Sequence, residues 1–78
     1  MELFNNLINA EIIAKMFPKG TFFNIEVTEY SIRLMAYSDA DFTILETLGY
    51  MKTNESGYEQ WKYNNVCITR STIISQPL

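Results

Sequence analysis

The stretch FFNIEVTEYSIRLMAY, residues 22–37, decides the fold. Its apolar residues change phase midway. Phe23, Ile25 and Val27 are odd-numbered, whereas Ile32, Leu34 and Ala36 are even-numbered. A straight strand alternates with period two, so it cannot shift phase without a bulge. A hairpin turning through Thr28-Glu29-Tyr30-Ser31 makes the shift naturally. It pairs Val27 with Ile32, Ile25 with Leu34 and Phe23 with Ala36 on one face, and sets Glu26 opposite Arg33 on the other, a favourable cross-strand charge pair.

On the N-terminal side, residues 3–17 predict an amphipathic helix. Phe4, Ile8, Ile12 and Met16 recur every four residues, with Leu3 and Leu7 beside them, and this stripe is the expected packing face. Glu11 and Lys15 are spaced for a helical ion pair. Phe17-Pro18-Lys19-Gly20 ends the helix.

On the C-terminal side, residues 39–48 predict a short second helix. Ser38 is the expected N-cap, with Asp41 three residues on and Gly49 as C-cap. Phe42, Leu45 and Leu48 fall on its apolar side. Residues 50–72 predict three antiparallel strands, with turns at Asn54-Glu55-Ser56-Gly57 and Asn64-Asn65. The expected pairs are Lys52 with Glu59, Tyr50 with Trp61, Tyr63 with Val66, Trp61 with Ile68 and Glu59 with Arg70. Lys52, Glu59 and Arg70 then form a ladder of alternating charge. Residues 71–78 are expected to form an exposed end, with Ile73 and Ile74 able to prolong the last strand.

The expected fold is therefore α+β in the order α-β-β-α-β-β-β, one antiparallel sheet, or two small ones, with the helices on the apolar face. The chain has 78 residues. That length predicts one domain, 1–78, burying roughly 63% of its unfolded surface.

Residue types narrow the function. There is no His, and the lone Cys is Cys67. A His base, a Ser-His-Asp triad, an internal disulfide and a cysteine zinc site are excluded. Cys67 reads as a small apolar filler in a reducing, cytoplasmic setting. The three glycines are Gly20, Gly49 and Gly57, so no phosphate-binding loop exists. The acidic start Met1-Glu2-Leu3-Phe4 is unlike a secretion signal, and the apolar runs are too short to span a membrane. No enzyme, cofactor or metal is expected.

Charge is the informative feature. The chain has 9 acids and 6 bases, a net charge of -3. No basic residue lies between Arg33 and Lys52, and that window holds Asp39, Asp41 and Glu46. The remaining six acids and six bases cancel, so the whole excess falls on the second helix and its entry. The expected contact set is Asp39, Asp41 and Glu46, with Tyr37 and Tyr58 as aromatic anchors, facing a protein partner with a basic surface. A nucleic-acid-handling protein presents such a surface. Two alternatives are a binder of single strands using sheet aromatics, weakened by scattered bases, and a homodimer through helix 1 or the last strand. In size and composition the chain resembles, as a class, phage-encoded inhibitors of host defence, anti-CRISPR proteins among them. That resemblance rests on no motif and implies no residue roles. It implies action in the host cytoplasm.

Overall fold

A computed structural model describes residues 2–72. Helix α1 spans Glu2–Ala14, followed by β1 (Phe22–Val27), β2 (Ile32–Ala36), α2 (Thr43–Thr47), β3 (Met51–Glu55), β4 (Tyr58–Tyr63) and β5 (Val66–Ser71). The element order is the expected one. The strands form one five-stranded sheet in the order β1-β2-β5-β4-β3.

The sheet is mixed, not antiparallel throughout. β1–β2, β3–β4 and β4–β5 are antiparallel, but β2 and β5 run parallel. A parallel pair needs a long crossover, and the segment from Tyr37 to Asn65 supplies it. The parallel seam joins the strands with the most buried apolar residues, Ile32, Leu34 and Ala36 on β2 and Val66 and Ile68 on β5. Placing both at the centre removes the most apolar surface from water. It also leaves the last strand no open edge for the homodimer contact considered for it: β5 is central, and the edges are β1 and β3.

The predicted hairpin is present, with Val27 opposite Ile32, Ile25 opposite Leu34 and Glu26 opposite Arg33. Its turn is held by Thr28, whose hydroxyl accepts from the backbone N–H of Tyr30 (3.1 Å) and of Ser31 (3.0 Å). One pair differs. A bulge between Phe22 and Asn24 sets Phe22, rather than Phe23, opposite Ala36. Phe22 thereby joins the interior rings, 5.5 Å from Phe17 and 5.7 Å from Phe42, while Phe23 lies 4.9 Å from Tyr37.

β4 and β5 pair as expected through Asn64-Asn65, where Asn64 adopts a left-handed φ of 51°. Asn tolerates that region better than most residues. Between β3 and β4 the expected register is off by two. Glu55 faces Tyr58 across a two-residue Ser56-Gly57 turn, and Lys52 faces Trp61. Gly57 takes φ 86° there, which a side chain would resist. A shift of two preserves the faces. Lys52 and Glu59 are therefore still paired, diagonally, at 2.9 Å.

α2 is shorter than expected. It covers five residues, and Ser38 does not cap it. Asp41 performs the equivalent task, its Oδ1 accepting from the Thr43 backbone N–H (3.0 Å) and hydroxyl (2.7 Å). At the other end Gly49 N–H reaches the Glu46 carbonyl and Tyr50 N–H the Leu45 carbonyl. This double closure is the usual helix stop around a left-handed glycine, and Gly49 has φ 98°. Leu45 is buried, but Leu48 is exposed.

Both helices contribute to one core on one sheet face. Ala10 and Ile13 of α1 and Phe42 and Leu45 of the α2 region meet Ile32, Leu34, Ala36, Trp61, Val66 and Ile68. α1, however, is turned the opposite way from expectation. Its buried residues are Asn6, Ala10 and Ile13, and the stripe Phe4, Ile8, Ile12, Met16 with Leu3 and Leu7 is exposed. Asn6 explains the turn. Its Nδ2 donates to the Thr28 carbonyl (2.9 Å), and its Oδ1 accepts from Asn65 Nδ2 (3.1 Å). A buried amide is costly unless its hydrogen bonds are made. Both bonds go to hairpin turns, which fixes the rotation of the helix. The expected exposed end at 71–78 is replaced at its start by strand, since Ser71 pairs with Tyr58. Residues 73–78, with the proposed prolongation through Ile73 and Ile74, lie outside the described residues.

Candidate functional site

The expected contact residues do not form one patch. Tyr37, Asp39 and Asp41 do come together, lining a shallow cleft of about 390 Å³ with Phe17, Pro18, Lys19, Gly20, Thr21 and Ala40. The cleft forms where the connection leaving α1 meets the connection leaving β2. Tyr37 is 58% exposed. Asp39 is exposed as well.

Glu46 and Tyr58 lie elsewhere. Glu46 sits over β4, where its Oε2 accepts from Trp61 Nε1 at 3.5 Å. Its role is to partner a buried indole, a group that needs an acceptor. Tyr58 lines a groove on the opposite sheet face with Arg33, Met35, Gln60, Cys67 and Thr69. Neither lines the aspartate cleft.

Two residues that sequence reasoning left out shape the cleft. Lys19 lines the same cleft as the aspartates. Its place in Pro18-Lys19-Gly20 marks only a helix stop in the sequence. Arg70 fixes the floor, because its guanidinium Nη1 donates to the Ala40 carbonyl. The same guanidinium binds Glu59 through Nε at 2.9 Å and through Nη2. It also lies 5.1 Å from the centre of the Trp61 ring, with Lys52 at 5.5 Å. Ladder and cleft are thus one structure: Lys52–Glu59–Arg70 ends on the loop that carries Asp39.

Two carboxylates titrate below their ordinary range. Asp41 is lowered by the backbone and hydroxyl hydrogen bonds from Thr43. Glu59 is lowered by the hydrogen bonds from Arg70 and then Lys52. A carboxyl depressed on folding stabilises the fold above its unfolded value and loses that contribution as pH falls through the folded one. Stability in urea is therefore expected to hold down to the ordinary Glu value of 4.5 and to fall below it. Glu59→Gln flattens that fall; an unchanged pH profile in the variant rejects the assignment.

Cys67 is half-buried on β5, between Arg33 and Lys62 in the register. Burial pushes its thiol up, and the two cations only partly oppose this. A raised thiol holds little thiolate at neutral pH, as suits a packing residue. Among the described residues no group of three metal-ligating side chains is assembled, and no helix is long and apolar enough to cross a membrane.

These features define a small α+β domain with a mixed sheet, helices on one face and a cleft at the ends of two connections. No protein-family model matches the chain, and no curated protein or solved structure matches it.

Proposed function

We propose that this chain is a non-enzymatic protein-binding module that docks on a basic surface of a partner protein through Tyr37, Asp39 and Asp41. The observation carrying this reading is that an exposed aromatic ring and two carboxylates line one cleft on a loop fastened by Arg70. Aromatic anchors supply much of the energy of protein interfaces, and a pre-ordered loop loses little entropy on docking. The carboxylates steer a cationic surface into place. Asp39 gives the charge its free end, since Asp41 is already engaged by Thr43. Glu46 and Tyr58 are not part of this surface.

The finer form of the proposal is an inhibitor. A basic groove that handles nucleic acid is the partner such a surface fits, and occupying the groove blocks it. The phage anti-defence class has this logic.

The test is quantitative affinity capture from cells that make the protein, comparing wild type with Tyr37→Ala/Asp39→Lys. A basic protein is expected with wild type and at least about tenfold less with the variant, as befits loss of an anchor and a charge. Equal recovery sinks the reading. Both side chains are exposed and only the Tyr37 contact with Phe23 is lost, so a small drop in thermal stability that leaves the variant folded is expected.

A second reading rests on the open sheet face, where Arg33 and Lys62 flank Cys67 and Tyr58 lies on the same face. Cations that track the backbone and a ring on which a base can stack are the elements of single-strand binding. Fluorescence titration with an oligonucleotide at low salt decides it, and no binding there removes it.

A further inference from the structure

We infer that the outward face of α1 is the interface of a two-fold dimer, in which the helices of two copies of this chain pack antiparallel with Ile8 near the axis. This does not rest on the reading of the Tyr37–Asp39 cleft.

The helix is apolar nearly all round. Leu3, Phe4, Leu7, Ile8, Ala10, Ile12, Ile13 and Ala14 are eight of its 13 residues. Of these, only Ala10 and Ile13 are buried in the protomer. Apart from a polar strip of Glu2, Asn5 and Asn9, an apolar surface this wide belongs against a second element. Rolling it over the sheet cannot hide the outer stripe, because Asn6 is tied to Thr28 and Asn65.

The area suits a dimer. Leu3, Phe4, Leu7, Ile8, Ile12 and Met16 keep between 41% and 61% of their surface. With roughly 200 Å² for each residue, about 600 Å² stays open on one protomer, so a dimer that covered all of it would bury about 1,200 Å², the lower bound of specific interfaces.

The charges favour a second copy over a charged partner. The outer face carries Glu11 and Lys15, one turn apart and 3.9 Å from each other. They cancel, so a basic protein, a nucleic acid or an anionic lipid finds no complementary field there. The three excess acids lie outside α1. An antiparallel overlay centred on Ile8 sets Phe4 across from Ile12 of the second copy, and the Lys15 end of each helix beside the Glu2 end of the other. It also opposes the two helix dipoles, which a parallel overlay would align. A core with ten buried apolar residues among the described residues gains from the added burial.

Sedimentation equilibrium of the full chain, from low micromolar to near-millimolar concentration, tests this. Wild type is expected to reach the dimer mass. Ile8→Glu is expected to weaken association at least about 100-fold, as a charge does at an interface centre. Its circular dichroism should stay that of the wild-type protomer, because Ile8 is exposed there. Cysteine cross-linking reads the geometry. In a Cys67→Ser background, Ile8→Cys should form a disulfide-linked dimer under mild oxidation. Met16→Cys should not, since eight residues from the axis its two copies lie about 24 Å apart along the helix. Wild type that stays monomeric throughout overturns the inference, whether or not it then binds neutral vesicles. So does an Ile8→Glu chain that dimerises as tightly as wild type, or a Met16→Cys chain that cross-links as readily as Ile8→Cys.

Discussion

Phe42→Ala should unfold much of the protein at temperatures where wild type is folded. Phe42 is 1% exposed and sits at the entry to α2. Its ring lies 5.1 Å from Phe17, 5.7 Å from Phe22 and 5.0 Å from Trp61. It therefore joins the connection after α1, strand β1, the helix α2 and strand β4. Truncating a buried Phe costs about 4 kcal/mol, the lost transfer energy plus the cavity left behind. A domain of this size has only about 4–12 kcal/mol in all. The expected drop in melting temperature is roughly 20 °C or more. Phe42→Leu keeps most of the volume and should cost less than about 2 kcal/mol. Thermal unfolding followed by circular dichroism measures both. A loss under about 1 kcal/mol for Phe42→Ala would mean that the four aromatic rings do not form one packed unit.

The parts of this fold that were legible in the sequence are those set by local alternation. The hairpin register follows from the phase change between Val27 and Ile32, and the β4–β5 register from the Asn64-Asn65 turn. Where two neighbouring choices carry equal signal, local reading fails. Phe22 and Phe23 are both apolar, and only the position of Phe42 and Phe17 makes Phe22 the interior one. Asn54-Glu55-Ser56-Gly57 has turn-forming residues at three positions, Asn54, Ser56 and Gly57, so its composition does not select a two-residue loop. The α1 stripe fails for a deeper reason. The rule that the most apolar face looks inward assumes that the protomer is the whole structure. It also weighs apolar area alone, and Asn6 overrides that weight within the protomer through two bonds to turns that are distant in sequence. The same limit applies to the cleft. Asp39, Asp41 and Tyr37 were legible as neighbours in the chain, but Lys19 and Arg70 reach them only through tertiary packing. Glu46, grouped with the aspartates by charge, is drawn off by an indole fifteen residues away.

Arg70→Met is the sharpest way to ask whether the ladder and the cleft are one unit. The guanidinium serves the Glu59 carboxylate, the Ala40 carbonyl and the Trp61 face together. Its removal leaves Glu59 with Lys52 as its charged partner, in a site where the Glu59 side chain is 16% exposed. Breaking one side of a largely buried pair costs about 3 kcal/mol, more than the pair's net worth, because the other charge stays behind. Glu59→Gln in the Arg70→Met background should therefore recover at least about 1 kcal/mol relative to additivity. Urea unfolding of the four proteins at neutral pH gives that coupling, and a value near zero would separate Arg70 from Glu59 energetically. A second consequence concerns binding. Ala40 lies between Asp39 and Asp41, so freeing its carbonyl releases the segment that orders them. On the docking surface proposed above, Arg70→Met should then weaken capture of the proposed basic partner even under conditions where the fold is fully populated. The mechanism is a loop-ordering cost of roughly 1 kcal/mol per residue that wild type has already met in folding. Arg70→Lys sharpens the argument. It keeps the charge beside Glu59 but has no planar fork to span a carboxylate and a carbonyl at once. It should restore most of the stability and little of the binding. Equal recovery of both would mean that Arg70 acts on the cleft only by keeping the domain folded.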